Sequence, residues 1–128
     1  WEDIDKPGIV VAVAAGTLME PVMKASLKNA KLLLVSPPAT REQELESGRA
    51  DVFMTDYPYS RRLLDNADWA KLLSPPKPFN ITSYAYAVKP GDEQWLRTLD
   101  EFVARIKSDG RLEAAAKRNG LSEIVVRN

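Results

Sequence analysis

Two short polar stretches each follow an apolar run that has the composition of a buried strand. One lies at residues 16–18 and follows the run I-V-V-A-V-A-A at residues 9–15, and the other lies at residues 55–57 and follows V-F-M at residues 52–54. Ligands of open α/β sheets bind just beyond the carboxyl ends of the strands, so both stretches are candidates for a binding site. The candidate ligand-binding residues are Gly16, Thr17, Leu18, Thr55, Asp56 and Tyr57.

The two stretches favour ligand groups of opposite charge. Backbone N–H groups at Gly16-Thr17, where a helix should begin, attract a carboxylate or a phosphate together with the helix dipole and the Thr17 hydroxyl. The Asp56 carboxylate attracts an ammonium group instead. If the two preceding strands are neighbours, the pair would suit an α-amino acid. The alternative roles are helix capping by Thr17 and by Asp56.

The sequence does not decide the roles of four further side chains near these stretches. Glu20 follows Thr17 by three residues, and its alternatives are a general acid beside the turn or a charge that complements the helix dipole. Tyr59, like Tyr57, could stack on a ligand or pack at the sheet rim. Arg61 and Arg62 are most simply a solvated helix surface.

Composition excludes several kinds of chemistry. The 128 residues contain no cysteine and no histidine, which removes thiolate metal sites and Ser-His-Asp catalysis, and we expect neither a metal nor a cofactor. The 18 basic and 18 acidic side chains balance, so charge gives no case for nucleic acid as a partner. The sequence shows no apolar run long enough for a membrane span and no signal peptide.

The order of elements predicts an α/β fold with a central, mostly parallel sheet flanked by helices. Strands are expected at 9–15, 32–35 and 51–55, with a helix after Gly16 and a second helix opened by the capping box Thr40-x-x-Gln43. Beyond these, the pattern predicts a helix over the first half of 61–73, a proline-rich break, a strand over 83–88, and two C-terminal helices.

Five segments occur in the order and spacing typical of a known family. They are D-I-D-K-P-G-I-V-V-A-V-A-A-G-T, A-K-L-L-L-V, E-S-G-R-A-D-V-F-M-T-D, Y-A-Y-A-V-K-P-G-D and I-K-S-D-G-R-L. The sequence resembles the bacterial family 3 extracellular solute-binding proteins, which serve amino-acid ABC transporters. The similarity runs from about Asp3 to Gly120.

This resemblance implies a periplasmic-binding-protein-like architecture in which two α/β lobes close around a ligand. Residues 1–80 would be the second lobe, and residues 81–128 would return to complete a first lobe whose N-terminal part is absent. The apolar helix face around Trp95, Leu99 and Phe102 would then be covered by that lobe or by a second copy of the chain.

The same resemblance implies a function and a set of contacts. Thr17 would contact the carboxylate of an amino acid or related ligand, and Asp56 its ammonium group. The protein would bind without catalysis, deliver its ligand to the membrane permease of an ABC transporter, and act in the periplasm or another extracytoplasmic space after loss of a signal peptide.

Two alternatives use the same fold. The sequence is also similar to periplasmic cyclohexadienyl dehydratases, enzymes that remove water and carbon dioxide from prephenate or arogenate. In those enzymes a glutamate after the G-T turn acts as the general acid, and Glu20 matches it with an offset of one residue. The other alternative is a ligand-sensing domain of a signalling protein.

Overall fold

The computed structural model describes residues 1–127, and the chain divides into two units, Trp1–Ile81 and Thr82–Asn128. The elements of the first unit are a 3-10 turn at Glu2–Ile4, β1 (Val10–Ala14), α1 (Met19–Ser26), β2 (Lys31–Val35), α2 (Arg41–Glu46), β3 (Val52–Phe53) and α3 (Tyr57–Leu64). Those of the second are α4 (Glu93–Ser108), α5 (Arg111–Arg118) and a 3-10 turn at Ser122–Ile124. That these units are a second lobe and a return segment stays a prediction.

The three strands of the first unit form one parallel sheet in the order β2-β1-β3. The centre of β1 is buried on both faces, because Val11, Ala12 and Val13 are each at most 1% exposed. A strand buried in this way needs helices on both faces of its sheet, which explains the continuous apolar run in the sequence. The predicted α/β fold is confirmed.

Each face of the sheet is covered by a different helix. Met23 of α1 packs with Val11 and Val13 on one face, whereas Leu45 of α2 packs against the Ala12 side. The start of α2 is fixed by the predicted capping box, in which the Thr40 hydroxyl accepts from the Gln43 N–H at 3.2 Å. The Gln43 side chain accepts from the Thr40 N–H in return.

The N-terminal segment is tied to the turn between α1 and β2 by one carboxylate. Asp5 accepts from the backbone N–H groups of Lys28, Asn29 and Ala30 at 2.8 to 3.1 Å. These hydrogen bonds, from Ala30 first and then Asn29, hold the pKa of Asp5 below its ordinary value of 3.8. The contact joins residues more than 20 positions apart and closes the first unit at its start.

We expect Asp5→Asn to destabilise the protein in a pH-dependent manner. Because the pKa of Asp5 is lowered in the folded state, its contribution is fully present above 3.8 and is lost as the pH falls through the lowered value. The unfolding free energies of the two proteins, measured by urea unfolding, should therefore differ at pH 7 and converge as the pH falls from 3.8 through the lowered pKa. Asp68→Asn, at an exposed aspartate, is the control, and a difference that persists unchanged in acid would contradict the assignment.

Two predicted elements differ from the structure. Helix α3 begins at Tyr57 rather than at Arg61, because Asp56 caps it and Pro58 lies in its first turn, where a missing N–H costs nothing. The predicted strand over residues 83–88 is wrong. Its alternating pattern suits a strand, but within the described residues no strand pairs with it.

The second unit has little buried surface of its own. Helix α4 has no buried residue, and Trp95 is 51% exposed. Tyr86, from the segment predicted as a strand, meets Phe102 edge to face with ring centroids 6.2 Å apart. The apolar face of α4 is therefore only partly covered within residues 82–127.

Candidate functional site

The sheet order brings the two predicted stretches to one edge. From β1 the chain passes through α1 to β2 on one side, whereas β3 lies on the other side of β1 and follows α2 on the opposite face. The gap between β1 and β3 is therefore the switch point of the sheet, where ligands of such folds bind. Since Ala12 pairs with Phe53, the residues that follow the two strands leave the sheet side by side.

The turn after β1 has the geometry of an anion-binding turn. Gly16 has φ +74°, a left-handed conformation that favours glycine. The Thr17 hydroxyl donates to the Ala14 carbonyl at 2.8 Å, so it does not cap α1, and the N-cap position belongs to Leu18. In the described part of the chain, no group accepts from the N–H of Leu18 or Met19, which leaves two donors at the helix start.

A carboxylate of the chain itself already lies at this turn. Glu20 Oε2 accepts from the Gly16 N–H at 2.9 Å, and Oε1 accepts from Lys24 Nζ at 2.5 Å. The hydrogen bond from Lys24, and then that from Gly16, hold the pKa of Glu20 below its ordinary value of 4.5. Glu20 is therefore ionised near neutral pH in this structure, and the side chain does more than complement the helix dipole.

The stretch after β3 is arranged around Asp56. Its Oδ1 accepts from the Tyr59 N–H at 2.8 Å, so Asp56 is the N-cap of α3. Capping uses one oxygen of the carboxylate, and the side chain is half-buried at the sheet edge. The capping role is therefore observed, and it leaves the charge of Asp56 beside the switch point. Its contact with a ligand ammonium group stays a prediction.

Arg41 is a member of this region that sequence reasoning missed. Its Nη1 donates to the Met54 carbonyl at 3.1 Å, just before Thr55. Its Cζ lies 5.2 Å from the centroid of the Phe53 ring and 4.9 Å from that of Tyr59. Arg41 thus joins the start of α2, the end of β3 and the first turn of α3. Nothing in the local sequence shows this contact, because it depends on how α2 and α3 are placed.

Tyr59 has a structural role in the same cluster. Its Oη donates to Glu42 Oε1 at 2.5 Å, which together with burial raises the pKa of Tyr59 above its ordinary value of 10.0. The Arg62 Cζ lies 5.6 Å from the Tyr59 ring centroid, while Arg61 is exposed. Of the two alternatives for Tyr59, the structure therefore shows packing, between α2 and α3.

We expect Arg41→Ala to destabilise the protein by about 1–3 kcal/mol, because it removes a charged hydrogen bond to a carbonyl and two ring contacts. Urea unfolding monitored by circular dichroism measures this change. Arg61→Ala, which removes the same charge from an exposed position, should change stability by less than about 0.5 kcal/mol. Equal effects of the two substitutions would show that Arg41 does not hold the end of β3.

The remaining predicted site residues lie at the edges of this region. Leu18 is 49% exposed and lines an open groove of about 450 Å³ along α1 together with Pro21 and Phe79. Tyr57 is half-buried at the start of α3, and its carbonyl accepts from the Ser60 hydroxyl at 2.8 Å. In residues 1–127, no group of three or more acidic side chains is placed to hold a metal ion.

Comparison with known proteins relates the chain to one enzyme. The sequence is 31% identical over 111 residues to the cyclohexadienyl dehydratase of Pseudomonas aeruginosa, a match that covers 87% of this chain and 41% of that protein. The crystal structure of an ancestral cyclohexadienyl dehydratase matches 91% of this chain and 48% of its own, with 29% identity and a TM-score of 0.53. The chain has a periplasmic-binding-protein-like fold.

No family model matches the chain. The chain spans less than half the length of the two relatives, 41% of one and 48% of the other. The resemblance to solute-binding proteins is therefore confirmed at the level of the fold, and the activity of the relatives belongs to proteins of about twice this length.

The comparisons also correct one prediction. The prediction that the chain is not an enzyme is wrong, since both relatives are named as dehydratases. They favour the dehydratase alternative over amino-acid transport, for which neither relative gives support. No helix among the described residues is long and apolar enough to cross a membrane. A periplasmic or extracytoplasmic location stays a prediction.

Proposed function

We propose that this chain forms one ligand-binding lobe of an enzyme that removes water and carbon dioxide from a cyclohexadiene carboxylate such as prephenate or arogenate. The observation that carries the proposal is the similarity to a cyclohexadienyl dehydratase over 87% of the chain. The position of Gly16, Glu20 and Asp56 at the switch point of the sheet gives it a physical basis.

The reaction sets what the lobe has to provide. Protonation of the ring hydroxyl breaks the carbon–oxygen bond and releases water. The carbon–carbon bond to the ring carboxylate then breaks, its electron pair makes the ring aromatic, and carbon dioxide leaves. One proton is consumed for each prephenate dianion converted into phenylpyruvate. The site therefore needs a proton donor, and donors of hydrogen bonds that hold the substrate carboxylates.

The residues at the sheet edge match these requirements. The N–H groups of Gly16, Leu18 and Met19, with the Thr17 hydroxyl after rotation, would hold a substrate carboxylate. Glu20, in the first turn of α1, would be the general acid. Asp56 would hold the ammonium group of arogenate.

A partner for this lobe follows from the same proposal. The relatives are about twice as long as this chain, and their additional residues are the natural cover for the apolar face of α4. On that face Trp95 is 51% exposed and Leu96 is 39% exposed. We therefore propose that a first lobe packs on α4. A second copy of the chain is the alternative occupant, which the oligomeric state in solution would reveal.

The experiment that tests the function measures release of phenylpyruvate from prephenate by absorbance. It uses the protein itself and a chimera in which this chain replaces the matching segment of the Pseudomonas aeruginosa dehydratase. We expect the chimera to turn over prephenate or arogenate. The control is a chimera that carries Glu20→Gln.

Two outcomes contradict the proposal. A chimera that is folded, by circular dichroism and thermal unfolding, but inactive on both substrates would show that this lobe does not support the reaction. Saturable binding of common amino acids, without binding of prephenate or arogenate, would return the assignment to a transport protein.

A further inference from the structure

The proposed carboxylate site is occupied by one of the chain's own side chains. The Gly16 N–H, the donor that a substrate carboxylate would take, is already bound to Glu20 Oε2 at 2.9 Å. The second oxygen of Glu20 is bound to Lys24 Nζ at 2.5 Å. The Glu20 side chain is 21% exposed, so it lies at the turn and remains open to solvent. A ligand carboxylate and the Glu20 carboxylate therefore compete for the same donor.

We propose that Glu20 is a displaceable internal ligand of the Gly16 turn, which a substrate carboxylate replaces and which takes up one proton from solvent when it is released. This inference rests on the proposed function for the identity of the incoming carboxylate. It adds how the acid of that reaction is loaded. The free protein would hold Glu20 as an ion at the turn, and the complex would hold it as an acid beside the substrate.

The charges around Glu20 explain why displacement and protonation belong together. In the described chain, Lys24 is the charged side chain that acts on Glu20, and the other favourable contact is the Gly16 N–H. An incoming carboxylate removes the Gly16 contact and shares Lys24. It also places a second negative charge next to Glu20. All three changes disfavour the ionised form, so the pKa of Glu20 rises in the complex.

This coupling removes a conflict between geometry and proposed chemistry. A general acid must hold a proton before the reaction, whereas the contacts of Glu20 in the free chain lower its pKa below 4.5. If substrate binding itself reverses those contacts, the enzyme has an ionised Glu20 without substrate and a protonated one with it. The proton taken up on binding is the one that the dehydration consumes.

The internal contact is tested first in the free protein. In ¹⁵N-labelled protein followed by NMR, the Gly16 amide proton should shift as the pH falls through the lowered pKa of Glu20, because protonation weakens its hydrogen bond. This titration should disappear in Glu20→Ala. A Gly16 amide that ignores the ionisation of Glu20 would overturn the inference, whatever the activity of the protein.

Displacement is then tested with two probes, prephenate and its product phenylpyruvate. Each should shift the Gly16 amide, and Glu20→Ala should bind them about tenfold or more tightly than the natural protein, because the competing carboxylate is gone. Glu46→Ala removes the same charge from an exposed position on α2 and should leave affinity unchanged. Equal affinities of Glu20→Ala and the natural protein would overturn the inference.

The decisive measurement is the number of protons taken up when the ligand binds. Calorimetry in two buffers of different ionisation enthalpy should show uptake of up to one proton per ligand bound, and none in Glu20→Ala. Between the pKa of Glu20 in the free chain and its higher value in the complex, the affinity of the natural protein should fall as the pH rises, by up to about tenfold per pH unit. If the ligand binds and no proton is taken up throughout the pH range between these two pKa values, the coupling is overturned.

The outcomes separate this inference from the proposed function. If the probes displace Glu20 and a proton is taken up but no chimera turns over substrate, the inference stands and the dehydratase proposal fails. If the chimera is active but Gly16 does not respond to Glu20 or to the probes, the function stands and the inference fails.

Discussion

Glu20→Gln is expected to lower turnover of prephenate and arogenate by about 100- to 10,000-fold in the active chimera, the range that a positioned general acid contributes. The glutamine keeps the length of the side chain, and its oxygen can still accept from the Gly16 N–H. It cannot donate a proton to the leaving hydroxyl. The fold should therefore persist while the carbon–oxygen bond no longer breaks at a useful rate.

The measurement is kcat and KM from phenylpyruvate release, with thermal unfolding as the check on structure. A loss in kcat without a rise in KM is expected, because the glutamine leaves the carboxylate-binding donors in place and removes the charge that competes with the substrate. Glu46→Gln makes the same change at an exposed position on α2 and should retain full activity. If Glu20→Gln keeps more than about a tenth of the natural kcat, Glu20 is not the proton donor.

Asp56→Asn should separate the two substrates. Arogenate carries an α-ammonium group where prephenate carries a keto group, so under the proposed role of Asp56 arogenate alone would form a charged hydrogen bond with it. Loss of that bond is expected to lower kcat/KM for arogenate by about 10- to 100-fold, while kcat/KM for prephenate stays the same or rises. The ratio of the two values is the result that matters.

The asparagine is chosen because it preserves the structural role of this position. Asp56 caps α3 by accepting from the Tyr59 N–H, and asparagine caps helices about as well as aspartate does. Asp56→Ala, by contrast, should also cost about 1 kcal/mol of stability. Asp65→Asn, at the other end of α3, controls for the change in charge. A parallel loss on both substrates would assign Asp56 to structure alone.

Sequence reasoning predicted the parts of the fold in which local pattern and tertiary environment agree. The run at 9–15 reads as a strand because β1 is buried on both faces, and Thr40-x-x-Gln43 reads as a capping box because its contacts are local. The strand over 83–88 failed for the opposite reason. Alternation shows that a segment can be a strand, but a strand exists only when another one pairs with it.

Sequence reasoning also predicted part of the candidate site and missed the rest. Strand ends identified the region of Gly16 and Asp56, since that inference needs only the order of elements. The contact of Arg41 with Met54 and Tyr59 could not be predicted, because it depends on the placement of α2 against α3. The occupation of the Gly16 N–H by Glu20 was also missed, although the spacing of four residues made it geometrically accessible.

The unequal lengths of the strands give the two halves of the candidate site different mechanical character. Gly16 follows a strand that pairs on both sides and is held by β2 over five residues, whereas Asp56 follows a strand of two residues that, in the part of the chain the structure describes, pairs with β1 alone. Local opening costs least where few hydrogen bonds must break, so the Asp56 side should fluctuate more. When a ligand binds across both halves, most of the loss of conformational entropy in the protein would therefore occur on the Asp56 side. The turn at Gly16 would hold the ligand in a fixed position, and the stretch after the short strand β3 could adjust to the ligand.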